Sequence, residues 1–182
     1  MTGGARWLRV GVLVGAVALA GCGGGTQHRA AATKTAPRRD SPPPGARSAD
    51  PGAVRVIRAW VDAERRSDMA RAARYFDLPA VVANGGPPLV LRTRAAVRLW
   101  NSGLPCGAQL IEAVALRGYV IARFRLTRRP GQRCDGTGQT ASTAFKLRHG
   151  RIAQWVRVDD AHPYQGAPQR PVPGGGGGAV AA

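Results

Sequence analysis

The chain has 182 residues, which gives room for one domain of about 100 to 150 residues with appendages and excludes a second core of ordinary size. Its 27 basic and 10 acidic residues leave a formal net charge of +17, carried almost wholly by arginine, since Lys34 and Lys146 are the two lysines. Ala, Gly and Pro are abundant as well, so a GC-rich coding bias competes with binding to a polyanion as the origin of the charge.

Arg6 and Arg9 precede an uncharged apolar run from Val10 to Ala20. A run of that length is too short to cross about 30 Å of hydrocarbon as a helix, which takes roughly 20 residues, and it has the proportions of an export signal. The end of this run with the two residues after it, Leu19-Ala20-Gly21-Cys22, resembles the lipobox of bacterial lipoproteins. That resemblance implies cleavage before Cys22 and a diacylglycerol in thioether linkage to its sulfur. An ordinary signal cut near Ala20 is the alternative. Each buried CH₂ contributes only about 0.8 kcal/mol, so one acyl chain binds a bilayer marginally and two hold it. The lipid would make the membrane itself a partner, with the protein on the extracytoplasmic face of the cell membrane.

Residues 1–21 are therefore expected to be the signal and 22–50 a disordered tether, which has four prolines and no bulky apolar side chain to seed a core. The folded part is expected over 51–162. Residues 163–182, with four prolines and six glycines, read as a flexible tail.

Asp50-Pro51 opens the folded part as an N-cap followed by proline at the first helical position. Val54, Ile57, Trp60 and Val61 then recur at helical spacing on one stripe. Asp68 caps a second helix with Met69, Ala72, Ala73 and Phe76 on its apolar side, ended by Leu78-Pro79. Two short β-prone runs, 81–83 and 89–91, flank a turn-rich stretch from Asn84 to Pro88. Thr93 caps a third helix whose inward residues are Ala96, Val97 and Trp100, and Gly103 stops it.

Beyond Gly103 the apolar period falls to two, and four strands fit 108–116, 119–129, 139–148 and 151–159. Arg117-Gly118 and His149-Gly150 are two-residue hairpin turns. In the first hairpin Leu116 faces Tyr119, Ala113 faces Ala122 and Ile111 faces Phe124, with Glu112 and Arg123 paired on the other face. In the second, Arg148 faces Arg151, Leu147 faces Ile152, Phe145 faces Gln154 and Thr143 faces Val156. This register puts Trp155 at the opposite parity from Ile152 and Val156, which leaves two placements open for it, the outer face of the sheet or the core with the other tryptophans.

Cys106 precedes the first long strand and Cys134 lies in the loop after the second, near enough in this register to meet. An export route favours a disulfide between them. They lack His or carboxylate partners at metal-ligand spacing, so no metal and no cofactor is expected.

The order helix, helix, short β segment, helix and four long strands resembles the nuclear transport factor 2-like, or SnoaL-like, fold. The resemblance is carried by Val54-Arg55-Val56-Ile57-Arg58-Ala59-Trp60, by Asp68 to Phe76, and by Gly150-Arg151-Ile152-Ala153-Gln154-Trp155. It implies an α+β cone, also called cystatin-like, with three N-terminal helices packed on a curved four- to six-stranded antiparallel sheet around a pocket. Members include ketosteroid isomerases, polyketide cyclases and binding domains. The enzymes among them use a buried carboxylate base with donors for the oxyanion.

The pocket positions expected here are Trp60, Tyr75, Trp100, Gln109, Phe124, Thr143 and Gln154. Gln109, Thr143 and Gln154 can hydrogen-bond, yet they exchange no proton near neutral pH. Asp77 is the one weak candidate for a catalytic base, and a solvated turn carboxylate is the plainer reading of it. The tryptophans equally suit a packed core. The arginines are spread over all elements without interleaved aromatics, which counts against nucleic acid as a partner.

These residues lead to the expectation of a membrane-anchored extracytoplasmic lipoprotein with a non-enzymatic domain that binds an apolar small molecule or an envelope protein. Isomerase- or cyclase-like action on an apolar small molecule is the alternative. The sequence sets no oligomeric state, and a homodimer through the sheet is one arrangement open to it.

Overall fold

The computed structural model describes residues 41–166 and Pro168. Cys22, its lipobox, the signal and most of the tether and tail lie outside the described residues. The fold is α+β: β1 (Arg47–Ser48), α1 (Pro51–Arg65), α2 (Met69–Arg74), β2 (Phe76–Ala83), β3 (Leu89–Leu91), α3 (Arg94–Ser102), β4 (Gly107–Leu116), β5 (Tyr119–Thr127), β6 (Thr140–Arg148) and β7 (Arg151–Val158).

The three helices start where side-chain oxygens meet their orphan N–H groups. Asp50 accepts from Ala53 N, Asp68 from Arg71 N, and Thr93 from Ala96 N. Gly103 ends α3, as expected. The second helix stops earlier than its periodicity suggests, at Arg74. Phe76 belongs to β2, where Leu78 and Pro79 also lie, and the pairing register of that strand shifts between Phe76 and Val81. A proline supplies no N–H to a ladder, so an irregular stretch accommodates it.

The strands form one seven-stranded sheet in the order β1-β4-β5-β6-β7-β2-β3. It is larger than the four to six strands expected, and mixed rather than wholly antiparallel, because β2 runs parallel to β7. Arg47 and Ser48, within the segment expected to be a tether, pair with Ala115 and Val114. At the other end Pro163 and Tyr164 are buried. The ordered part is thus wider than 51–162 on both sides.

Both hairpin turns form as the sequence requires, with positive φ at Arg117, Gly118, His149 and Gly150. Each hairpin also contains an irregularity that the local pattern does not announce. In β4 the register shifts between Leu110 and Glu112, so Leu110, not Ile111, faces Phe124, and Ile111 is left 52% exposed. In β7 the shift falls at Ala153, so Trp155 faces Phe145 and Gln154 faces Lys146. One extra residue reverses the side to which every following side chain points.

The main core lies between the helices and one face of the sheet. It joins Ile57, Trp60 and Val61 of α1 and Val97 of α3 to Phe76, Val82, Phe124, Phe145, Ile152 and Trp155. A second apolar cluster, Val114, Leu116, Tyr119, Ile121, Ala144, Val158 and Tyr164, covers part of the opposite face. The residues around Tyr164 are held there by burial, which is why they are ordered.

Candidate functional site

The helix-covered face of the sheet is where a pocket was expected, and aromatic rings fill it. Trp60 meets Phe76, Phe124 and Phe145 edge to face at centroid separations of 6.4, 6.4 and 5.6 Å. Trp100 meets Phe76 at 5.9 Å and Trp155 at 4.9 Å. Such pairs add about 0.5 to 1.5 kcal/mol beyond area burial, so the cluster is a strong packing unit. Trp60 Nε1 donates to Asn101 Oδ1 at 3.1 Å, and Asn101 Nδ2 donates to Val97 O at 2.8 Å. The polar atom of the central ring is therefore satisfied within the core.

Of the expected pocket residues, Trp60, Trp100, Phe124 and Thr143 do point to this side; Trp60, Phe124 and Thr143 are buried in it. Gln109 and Gln154 do not. The β4 shift puts Gln109 opposite Arg125 on the outer face, where it is exposed. The β7 shift puts Gln154 on that same outer side, and Tyr119 Oη donates to Gln154 Oε1 at 2.7 Å. Trp155, for which the sequence left both faces open, is 5% exposed inside the main core. Tyr75 is partly buried at the end of α2, its hydroxyl 3.5 Å from Arg71 Nε.

Asp77 lies on β2, away from the aromatic cluster. Arg148 Nε donates to its carboxylate, and His149 Nδ1 lies 3.4 Å from the same oxygen. The bond from Arg148 is the main cause that holds this carboxyl below the ordinary carboxylate range. A base so engaged is a poor proton acceptor at neutral pH.

The structure adds a carboxylate that the sequence reading passed over. Glu64 is 2% exposed, and Arg129 Nη1 donates to its Oε2 at 2.9 Å. Arg129 also donates from Nη2 to Ser102 O at 2.9 Å, neutralising the C-terminal carbonyls of α3. Burial pushes the Glu64 carboxyl up to about 8, against the opposing pull of Arg129. Glu64 Oε1 has no hydrogen-bond partner. A signal was present: Ile57, Trp60, Val61 and Glu64 are spaced i, i+3, i+4, i+7, so the carboxylate continues the buried stripe and must find a cation.

Cys106 and Cys134 form a disulfide. It ties the loop that carries Arg129 to the start of β4. Among the described residues no group of three or more His, Cys, Asp or Glu is placed to hold a metal ion, and no helix is long and apolar enough to cross a membrane.

Concavity is found on the surface. A groove of about 490 Å³ is lined by Asp68, Ala70, Arg71, Arg74 and Tyr75, and a second of about 410 Å³ by Ala49, Pro51, Val54, Arg55 and Arg58. Both are open to solvent and rimmed by guanidinium groups.

No protein-family model matches the chain, and no curated protein matches it. Solved structures of similar shape include a candidate polyketide cyclase from Sinorhizobium meliloti, at 20% identity and a TM-score of 0.47, covering 57% of this chain and 93% of that one. A cystatin-fold protein from Novosphingobium aromaticivorans aligns at 17% identity and a TM-score of 0.45, covering 59% of this chain and 97% of that one. A nuclear transport factor 2-like protein of unknown function from Cytophaga hutchinsonii aligns at 10% and 0.47, covering 61% and 92%. These are likenesses of chain path, and no activity is carried over from them.

Proposed function

We propose that this chain is a membrane-anchored extracytoplasmic lipoprotein, held through Cys22, whose folded domain binds a partner without turning it over. The observation that carries the binding reading is the packing around Trp60, whose ring occupies the interior against Phe76, Phe124 and Phe145. Acid–base chemistry of the kind this fold supports needs a substrate beside a free carboxylate in that interior. Here Glu64 is engaged by Arg129, and Asp77 by Arg148 on another part of the molecule. Recognition then falls to the surface, where most of the arginines are.

Mass spectrometry of the protein isolated from its source tests both halves. A mature chain that begins at Cys22 and carries the mass of a diacylglycerol supports the anchor; an N-terminus elsewhere without lipid overturns it. Turnover of an apolar ketone or polyketide that is abolished in a folded Asp77→Asn variant would overturn the non-enzymatic reading in favour of isomerase- or cyclase-like action.

A further inference from the structure

Antiparallel pairing brings both tight turns of the sheet to one end. Val120 at the start of β5 faces Phe145 near the end of β6, so the Arg117-Gly118 turn lies beside the Arg148 to Arg151 turn. Lys146 joins them, for a Cβ built on Gly118 would come within 3.8 Å of its Nζ. The end of α2 adjoins as well, because Ile152 N donates to Tyr75 O at 2.8 Å. Arg74, Arg117, Arg148 and Arg151 are all exposed. Asp77 is committed to Arg148 and His149 and offsets one of these charges.

The chain enters the sheet from this same end. Arg47 pairs with Ala115 and Ser48 with Val114, so β1 runs away from the Arg117-Gly118 turn. Ala46, the residue before β1, thus lies at the basic end of the sheet. Of the two tyrosines at this end, Tyr119 is 2% exposed and Tyr75 is partly buried with its hydroxyl beside Arg71, so neither presents an open face for stacking a base.

We propose that this basic end docks on the phosphate headgroups of an anionic membrane surface and turns the hairpin tips toward the bilayer. The orientation rests on the lipoprotein reading above; the headgroup contact does not. Arg74, Arg117, Lys146 and Arg151 act as point charges within a Debye length of the headgroups, so docking weakens as salt is added.

The test uses the full chain with Cys22→Ser, so that no lipid attaches, and vesicles of phosphatidylcholine alone or mixed in equal parts with phosphatidylglycerol. The chain should sediment with the anionic vesicles in preference to the neutral ones. Neutralising Arg74, Arg117 and Arg151 to Gln should lower that partitioning by roughly 100-fold, at about fivefold per basic residue near the surface. Neutralising Arg66, Arg125 and Arg128, exposed toward the other end of the sheet, removes the same charge and should lower it far less. Acylation of Lys146 by an amine reagent, read by peptide mass, should slow several-fold on anionic vesicles only.

Equal losses in the two triple variants, or Lys146 equally reactive on both vesicles, would overturn the proposal. So would binding to soluble polyphosphate without binding to vesicles, which would assign the surface to a free polyanion. A native chain found without lipid at Cys22 overturns the anchor separately, since the vesicle experiment contains no lipidated protein.

Discussion

Arg129 and Glu64 form an ion pair at 2.9 Å with 1% and 2% of their side-chain surfaces exposed. Arg129 comes from the loop after β5 and Glu64 from the buried stripe of α1, so the pair ties that loop to the helical layer. Removal of Glu64 leaves the guanidinium charged and unsolvated, and removal of Arg129 leaves the buried carboxyl without its donor and the end of α3 without its cation. Arg129→Ala is expected to destabilise the protein by about 3 to 5 kcal/mol in urea denaturation. Glu64→Leu combined with Arg129→Met should recover much of that loss; it will not recover all, because Arg129 also neutralises the end of α3. A double variant as unstable as Arg129→Ala would show that the pair is not the source of the effect.

The same pair sets a pH dependence. Glu64 has its folded carboxyl raised from 4.5 to about 8. Between those values the folded state holds a proton that the unfolded state has released, so the contribution of Glu64 to stability is full below about pH 4.5 and is lost as pH rises through 8. Urea midpoints should therefore fall between pH 5 and 8 in the native sequence, and Glu64→Gln should flatten that fall. Asp77 acts in the other direction. Its lowered carboxyl stabilises the fold above its ordinary value of 3.8, and this contribution is lost as pH drops through the lowered one.

Cys106 and Cys134 are 28 positions apart and close the loop that carries Arg129. In the chain-entropy account a loop of that size is worth about 3 to 4 kcal/mol. Cys134→Ser, or reduction of the native protein, should lower the denaturation midpoint accordingly. A loss under about 1 kcal/mol would mean that the reduced chain keeps its loop in place through Ser67 Oγ, which donates to Pro130 O at 2.6 Å, and through Arg129.

The register shift at Ala153 makes a prediction about Trp155. As a core residue against Trp100 and Phe145, it should cost about 3 to 5 kcal/mol when replaced by Ala. A side chain on the outer face would cost about 0.5 kcal/mol or less. Thermal denaturation of Trp155→Ala distinguishes the two placements.

Much of the architecture was legible in local sequence because its causes are local. Asp50, Asp68 and Thr93 cap helices within one turn of themselves, and Gly118 and Gly150 accept the positive φ of a two-residue turn. The long strands followed from alternation, and the cysteine pair from its place in the two-strand register. The readings that failed, Gln109 and Gln154, and the one left open, Trp155, all lie beyond a register shift. A shift of one residue leaves no mark on composition or period, yet it exchanges inside for outside along the rest of the strand.

By itself the sequence determined where helices and turns begin, that one basic domain is built around a few aromatic residues, and that Cys106 and Cys134 come near enough to pair. Only the tertiary structure decided which side the strand residues beyond a bulge face, that β2 runs parallel beside β7, and that Arg129 reaches Glu64. The reason is physical. Caps and turns are settled by neighbours a few residues away, whereas ring packing around Trp60 and the neutralisation of a buried carboxylate are settled between segments tens of residues apart, where the bulges that reconcile them are cheaper than a void or an unpaired charge.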